Sequence, residues 1–571
     1  MNFNQSRWAI PLLLTLAVLA AYRPAVQGEF LWDDGLYVSQ NEVLQEKDGL
    51  IRIWMEPKLL PNYYPLVFSS FWFEYRLWGQ EPGGYHLTNI LLHALNSLLA
   101  YLLFRIWKTP AALFIAAVFA LHPVHVESVA WIAERKDVLS SSFFLGAMCC
   151  WSRLLQQRRE GFSPVFTLLF LGALFSKTVT CTLPVVCLLL RGLLDPEKGA
   201  LRKEIIRQIP LLACGAVMGA VTVWWESARL GAGEAASHLS FADRILAAGR
   251  IPWFYLWKVL WPSGLYPIYP LWKLDPGQLS HWLFPLASLA VTGLLWFLRA
   301  RIGSIWIAGW LGYLALLGPA LGFIDFSTQD LSLVADHYQY LASLVPIAAL
   351  GLLFQRLALK AAIPPVLVHG TQMVLCLLLG WLSWIQAGYY RDPVTFWSHG
   401  LAGNPECWVP HNNLGVALAE RGRIEQAMTH YAEAIRLYPD FAEPQVNLGN
   451  AFSSLGKIDQ AHETYLKATK APRGASSAWY RLGRLYDKEG NLPKAEESYK
   501  KAVEIRPRYP EALNSLGVLY AQTGRTLEAA EAFQSVLEIQ PLHRNARENL
   551  RIAQMELKNN QKEQTPEASP R

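Results

Sequence analysis

Charged residues are scarce in this chain of 571 residues: Asp, Glu, Lys and Arg make up 17%, against 52% hydrophobic. The formal net charge is only +6, and no basic stretch is interleaved with aromatics, so nothing points to a nucleic-acid partner. Cysteine is sparse too. The seven are Cys149, Cys150, Cys181, Cys187, Cys214, Cys376 and Cys407. None forms a paired CxxC metal spacing, and six sit in apolar segments, where a thiol behaves as a small buried apolar group. They neither require nor exclude an oxidising compartment. Matching apolar segments broken by Gly or Pro, the mark of an inverted-repeat transporter, are missing as well. What the chain has in quantity is long apolar runs, confined to residues 1–390, with an ordinary soluble helical composition after them. Length alone suggests about two to four domains.

The apolar runs number eleven: 8–22, 88–107, 110–121, 138–155, 163–176, 179–190, 208–225, 282–298, 304–323, 338–356 and 364–388. Several fall short of the ~20 residues that an apolar span normally needs, yet each is read as a crossing. The first is short enough for a signal peptide. No small-x-small cleavage site follows it, so retention is expected. The stretch "RIPWFYLWKVLW", 250–261, is aromatic and Pro-bounded, and reads as interfacial or re-entrant.

Basic residues decide orientation. Arg153, Arg158 and Arg159 follow the fourth run; Arg191, Lys198, Arg202, Lys203 and Arg207 follow the sixth. Arg299 and Arg301 follow the eighth, and Arg356 and Lys360 the tenth. With eleven crossings all these connections share one side, the cytoplasm, and the N-terminus lies there too. The C-terminal part is then outside. Counting 163–190 as one crossing would break this agreement. The outside segments are 24–86, which includes the aromatic "NYYPLVFSSFWFEYRLWG" suited to an interface, then 121–140, 226–249 and the segment holding "VADHYQYL", 334–341.

The C-terminal part repeats every 34 residues. Leu414, Leu448, Leu482 and Leu516 mark the step, as do Gly415, Gly449, Gly483 and Gly517, and Gly422, Gly456, Gly490 and Gly524. Ala427, Ala461, Ala495 and Ala529 keep it, and so do Tyr431, Tyr465, Tyr499 and Phe533. Pro439, Pro507 and Pro541 close three of the four units. This is the tetratricopeptide signature. Small residues let paired helices approach, the aromatic is expected to fill the gap between neighbouring pairs, and Pro stops the second helix. Pro405 and Trp397 hold the same phase, so 391–406 reads as the second helix of a half repeat joined almost directly to the last apolar run. The expected architecture is all-α: about eleven transmembrane helices over 1–390, a tetratricopeptide solenoid over 391–557 with a capping helix at 543–557, and a disordered polar tail, 558–571. Such solenoids bind extended peptides or helices in a concave groove. Helix phase puts Asn412, Asn450, Tyr480, Arg484, Lys488 and Asn514 there, although each could equally be plain solvated surface.

One short stretch, "EFLWDDGLYV", places Asp33 and Asp34 in the first outside loop. A DDG by itself is as good a turn as a site. Its company favours a site. His122, His125, Glu127, Glu134, Arg135, Lys136 and Asp137 lie on the same expected face, with Lys177, Asp336 and His337 as further candidates. Ionisable groups beside membrane segments are costly and tend to be functional.

"FLWDD", "LHPVHVESVAWIAERKDVLSSSFFLGAM", "FYLWKVLWP" and "VADHYQYL", followed by the repeats, resemble the transmembrane and tetratricopeptide repeat-containing O-mannosyltransferases and their bacterial relatives. These are polytopic GT-C glycosyltransferases. The resemblance implies sugar transfer from a polyprenyl-phosphate donor, on the periplasmic or luminal side, to a Ser or Thr hydroxyl of a protein. It implies a catalytic acid in the first outside loop, here Asp33 and Asp34, and inversion at the anomeric carbon. A carboxylate can take the hydroxyl proton and stabilise positive character at that carbon; Asp33 is slightly preferred as the base. Arg135, Lys136 and Lys177 are the candidates for the donor phosphate. His122, His125, Glu127, Asp137, Asp336, His337 and Tyr340 are assigned to the substrate pocket. His122, His125 and Glu127 could ligate a metal by type, but no metal or other cofactor is expected to be required. Mannose or another hexose is the implied sugar, and a bacterial inner membrane the implied location, with the repeats in the periplasm. Two other readings stay open: a non-enzymatic, membrane-anchored repeat scaffold for envelope or pilus assembly, and, less well supported, a transporter.

Overall fold

The computed structural model describes residues 6–158, 163–194, 199–229, 239–324 and 327–564. The described residues form helices and connecting turns, with no named strand. They fall into two compact units, Met1–Asn404 and Pro405–Arg571. Arg159, Lys198 and the central part of the expected outside segment 226–249 lie outside the described residues.

In the first unit every apolar run is helical: Ser6–Ala21, Pro82–Ile106, Ala112–Leu121, Arg135–Gln156, Pro164–Ser176, Leu183–Leu194, Ala200–Arg229, Leu283–Ile302, Ile305–Leu317, Leu344–Lys360 and Pro365–Gly388. Among the described residues, five spans are long and apolar enough on their own to cross a membrane: Pro82–Ile106, Ile132–Gln156, Leu201–Trp225, Leu279–Ile302 and Pro365–Gly388. A sixth is Ala112–Leu121 joined to Pro123–Ala130 through a 54° bend. Pro123 supplies no backbone N–H, which makes it a natural place for that break. The helix Leu283–Ile302 buries no residue inside the unit and exposes Leu286, Leu289 and Leu294, a surface made for lipid rather than water. Apolar helices of this kind make the chain an integral membrane protein.

The stretch read as interfacial is the second half of a longer helix, Phe241–Leu260, started by a Ser240–Asp243 capping box. It packs Ala247, Ile251 and Tyr255 against Tyr269, Tyr313 and Val334. The helix Pro393–Gly403 belongs to the first unit, although its phase reads as a half repeat.

The second unit is a run of paired helices: Trp408–Glu420 with Ile424–Leu437, Ala442–Ser454 with Ile458–Ala468, Ala475–Lys488 with Leu492–Ile505, and Pro510–Gln522 with Thr526–Ile539. The repeated glycine and aromatic meet inside each pair, not between neighbouring pairs as the phase suggested. A Cβ on Gly415 would sit 2.6 Å from the ring of Tyr431, and one on Gly449 2.5 Å from that of Tyr465. Only glycine lets the ring lie this close to the opposing backbone. The closing helix is longer than expected, Arg544–Gln564, so residues 558–564 of the expected tail are helical. Residues 565–571 lie outside the described part.

Candidate active site

The carboxylate pair divides its work. Asp34 is fully buried, and both of its oxygens are used: Oδ2 accepts from the Leu31 N–H at 2.9 Å, and Oδ1 from the Ala133 N–H at 2.7 Å. The second bond ties the segment around Asp34 to the 3-10 turn Ile132–Glu134. Burial pushes the Asp34 carboxyl well above the usual range, against those two N–H donors. Asp33 is half-buried, and its carboxylate accepts no hydrogen bond from the described residues. Burial raises its pKa also, and Lys136 nearby opposes the rise.

Trp32, just before the pair, has φ +40°, a left-handed conformation rare outside glycine. Holding it there costs about 1–3 kcal/mol. Its ring stacks on Trp131, centroids 5.3 Å apart and planes 9° apart, and meets Trp397 edge-on at 5.0 Å. Each aromatic pair offsets about 0.5–1.5 kcal/mol of that strain.

Around this loop the fold gathers much of the charge that the sequence scatters. Lys136 pairs with Glu134 at 2.8 Å and lies over the Tyr37 ring. Lys177 pairs with Asp137 and lies 3.9 Å from Glu134. His337 is clamped by Glu127: its Nδ1 is 3.0 Å from Oε1, and its backbone N–H donates to Oε2 at 3.2 Å. Burial pushes the His337 imidazole down to about 3, so the ring is neutral at neutral pH and this pairing is a hydrogen bond rather than an ion pair. Lys177, Asp137 and His337 line a cleft together with hydroxyls such as Ser140 and Thr180 and apolar groups such as Leu316 and Leu341.

Several expected site residues go elsewhere. Arg135 has no exposed surface to offer a phosphate. Its guanidinium pairs with both oxygens of Glu74 at 2.9 Å, with the Tyr85 carbonyl, with Ser70 and with Asn89. It holds the helix Pro65–Trp78 to the core. His122 and His125 are core histidines with both ring nitrogens engaged: His122 with Val259 O and the Val124 N–H, His125 with Phe119 O and Ser343. Tyr340 is 1% exposed and joins His93 and Asn96 in the same buried network. All three are held among partners of their own inside the unit. Asp336 is buried and receives the Tyr269 hydroxyl at 2.9 and 3.0 Å. Burial lifts its pKa to about 7, with Lys258 pulling the other way. Among the described residues, no group of three His, Cys, Asp or Glu side chains is placed to hold a metal ion.

A protein O-mannosyl-transferase of Caenorhabditis elegans is 26% identical over 452 residues, covering 75% of this chain. Two human protein O-mannosyl-transferases, TMTC1 and TMTC4, are 34% and 32% identical over 31% and 29% of it. Over these stretches the chain is similar to protein O-mannosyl-transferases. It spans 62% of the length of the nematode relative and 23% and 26% of the two human ones. The family described as "Tetratricopeptide repeat" matches residues 446–510 and 506–543, and "TPR repeat" matches 415–456. Among solved structures, a TPR protein "with an unusual peptide-binding site" is 24% identical with a TM-score of 0.23, covering 28% of this chain and 84% of that one. A TPR protein of Thermus thermophilus is 22% identical with a TM-score of 0.26, covering 32% and 95%.

The repeat residues also separate. Asn412 is 2% exposed and bonded to Asn413, Glu443 and Asn447, so it braces the repeats rather than facing a partner. Asn450 accepts from the Tyr465 hydroxyl at 2.7 Å. Tyr480 packs on Tyr499 and Tyr509. Asn514 is half-buried, while Arg484 and Lys488 are exposed. Reading by sequence missed Glu74, Asn89, Asn96, Lys258, Tyr269 and Trp397. A signal existed for some of them. Asn89, His93 and Asn96 recur at helical spacing inside one apolar run, with His86 just before it, and polar groups there need partners. Glu74 stands alone among aromatics.

Proposed function

We propose that this protein is an inverting GT-C glycosyltransferase of the membrane. It moves a sugar, mannose by the names of its relatives, from a polyprenyl phosphate to Ser or Thr hydroxyls of a protein. The observation that carries this reading is Asp33: a half-buried carboxylate with no hydrogen-bond donor of its own, next to a fully anchored one. Asp33 removes the acceptor proton, and Asp34 fixes the loop that presents it. Lys177, with Lys136 beside it, receives the donor phosphate, and the Lys177 cleft takes the head of the lipid. Both lysines are already paired with carboxylates, so the phosphate has to compete with Asp137 and Glu134. The repeat unit captures the acceptor and raises its effective concentration at the base. No metal is assigned a role. The reaction faces the periplasm if the chain is bacterial, or the endoplasmic reticulum lumen if it is not.

The test is sugar transfer from polyprenyl-phosphate donors to protein acceptors, comparing wild type with Asp33→Ala and Asp34→Ala. Loss of transfer in correctly inserted variants supports the reading. Transfer indifferent to both substitutions, or absent from wild type with every donor, makes the chain a repeat scaffold with a membrane anchor.

A further inference from the structure

We propose that the helix Pro393–Gly403 is part of the catalytic scaffold, with Trp397 acting through Trp32 as a positioning residue for Asp33. This rests on the reading of Asp33 as the base. In sequence the helix looks like the start of the repeats; in structure it packs into the first unit. Trp397 and Phe396 are 3% and 1% exposed, and their rings are 4.9 Å apart. Phe396 also meets Trp131 at 6.3 Å, the ring on which Trp32 stacks. The segment leading into this helix holds the loop by its backbone, since the Glu29 N–H donates to the Arg391 carbonyl at 2.9 Å.

The left-handed Trp32 is what this packing maintains. A strained residue persists only where its surroundings over-determine it. Here the restraints are the Trp131 stack, the Trp397 edge, the Glu29–Arg391 bond and the two bonds to Asp34. Remove the Trp397 edge and the cheapest release is rotation of Trp32 to negative φ. That rotation redirects the chain entering Asp33, whose carboxylate has no hydrogen bond of its own to keep it in place. Asp34 stays tied to Ala133. The base is displaced and the rest of the site is not.

The experiment uses the full chain in membranes or detergent, with Trp397→Ala, Trp397→Leu and Trp397→Phe. Amide hydrogen exchange is followed over residues 29–40, and kcat and KM for the acceptor are measured. A displacement of about an ångström at a reacting group costs on the order of 10²-fold in rate. Trp397→Ala is therefore expected to lower kcat by about that factor with acceptor KM unchanged, and to speed exchange in 29–40 but not in the repeats. Trp397→Phe restores most of both. If Trp397→Ala does not insert, Trp397→Leu, which keeps bulk without a ring edge, is read in its place. Unchanged loop exchange overturns the proposal, and so does a raised KM with kcat intact, which would put Trp397 in acceptor capture. Exchange is measured whether or not sugar moves. Faster loop exchange in a chain whose wild type transfers nothing leaves the restraint standing and sinks the catalytic reading alone.

Discussion

The two units hold their information in opposite ways. In the repeat unit each contact that defines the fold is local: Gly415 against Tyr431 and Gly449 against Tyr465 are each 16 residues apart, and the same pair recurs at the next step. In the membrane unit the contacts that define the site are remote. Asp34 bonds Ala133 from 99 residues away, and His337 meets Glu127 across 210. A periodic solenoid writes its packing into the sequence four times over. A membrane site writes its packing once, between helices whose apolar surfaces say little about which neighbour they choose.

That contrast can be broken or sharpened by substitution. The largest effect is expected at Asp33. Asp33→Asn keeps the shape and removes the base, and should lower kcat by about 10²–10⁴-fold, with helix content and melting unchanged. Arg135→Ala should be a stability lesion instead. It strands Glu74 in the interior, and breaking a buried pair costs about 3–5 kcal/mol. The check is the yield of folded protein after detergent extraction and its melting temperature, with Arg135→Ala plus Glu74→Gln less damaged than Arg135→Ala alone.

Gly449→Ala tests the local unit. Its Cβ would meet Tyr465 at 2.5 Å, and overpacking of this kind costs about 1–3 kcal/mol. Exchange should rise in the helices Ala442–Ser454 and Ile458–Ala468 while residues 29–40 stay protected. If the membrane unit loosens equally, the separation of the units is wrong.

The pH profile is a milder probe. With Asp33 as the proposed base, transfer requires its deprotonated form, and burial raises its pKa above the ordinary 3.8. Activity should therefore fall, as pH is lowered, at a pH higher than a free carboxylate would give. Lys136 pulls that pKa down, so Lys136→Met should move the acid limb to higher pH still. A limb that stays put would remove Lys136 from the surroundings of the base. The smallest effect is expected from Arg484→Ala with Lys488→Ala on the exposed repeat surface. Acceptor KM should rise a few-fold, by about 1 kcal/mol in all, with kcat unchanged.

Much of the site was legible as a neighbourhood but not as a set of roles. Motif and spacing picked out Asp33, Glu127, Asp137, Lys177 and His337, and the fold does bring Glu127 to His337 and Asp137 to Lys177. The same reasoning put Arg135 on a phosphate because it adjoins Lys136 in sequence. On a helix adjacent residues point about 100° apart. Arg135 therefore turns into the core to meet Glu74, while Lys136 stays partly exposed. His122 and His125 read as substrate-pocket residues. Their partners are backbone carbonyls of Val259 and Phe119, which no residue type reveals.

By itself the sequence determined the helical class, the apolar runs, the 34-residue repeat and a carboxylate pair beyond the first run. Each is a property of local composition or period, which the chain carries before it folds. Only the tertiary structure decided which aspartate is anchored and which is left without a donor, that Arg135 is a brace, and that Trp397 lies against the loop of Asp33. These depend on which distant groups satisfy one another once water is gone. Burial makes that choice, because a polar group removed from water must find its partner in whatever part of the chain the fold has brought beside it.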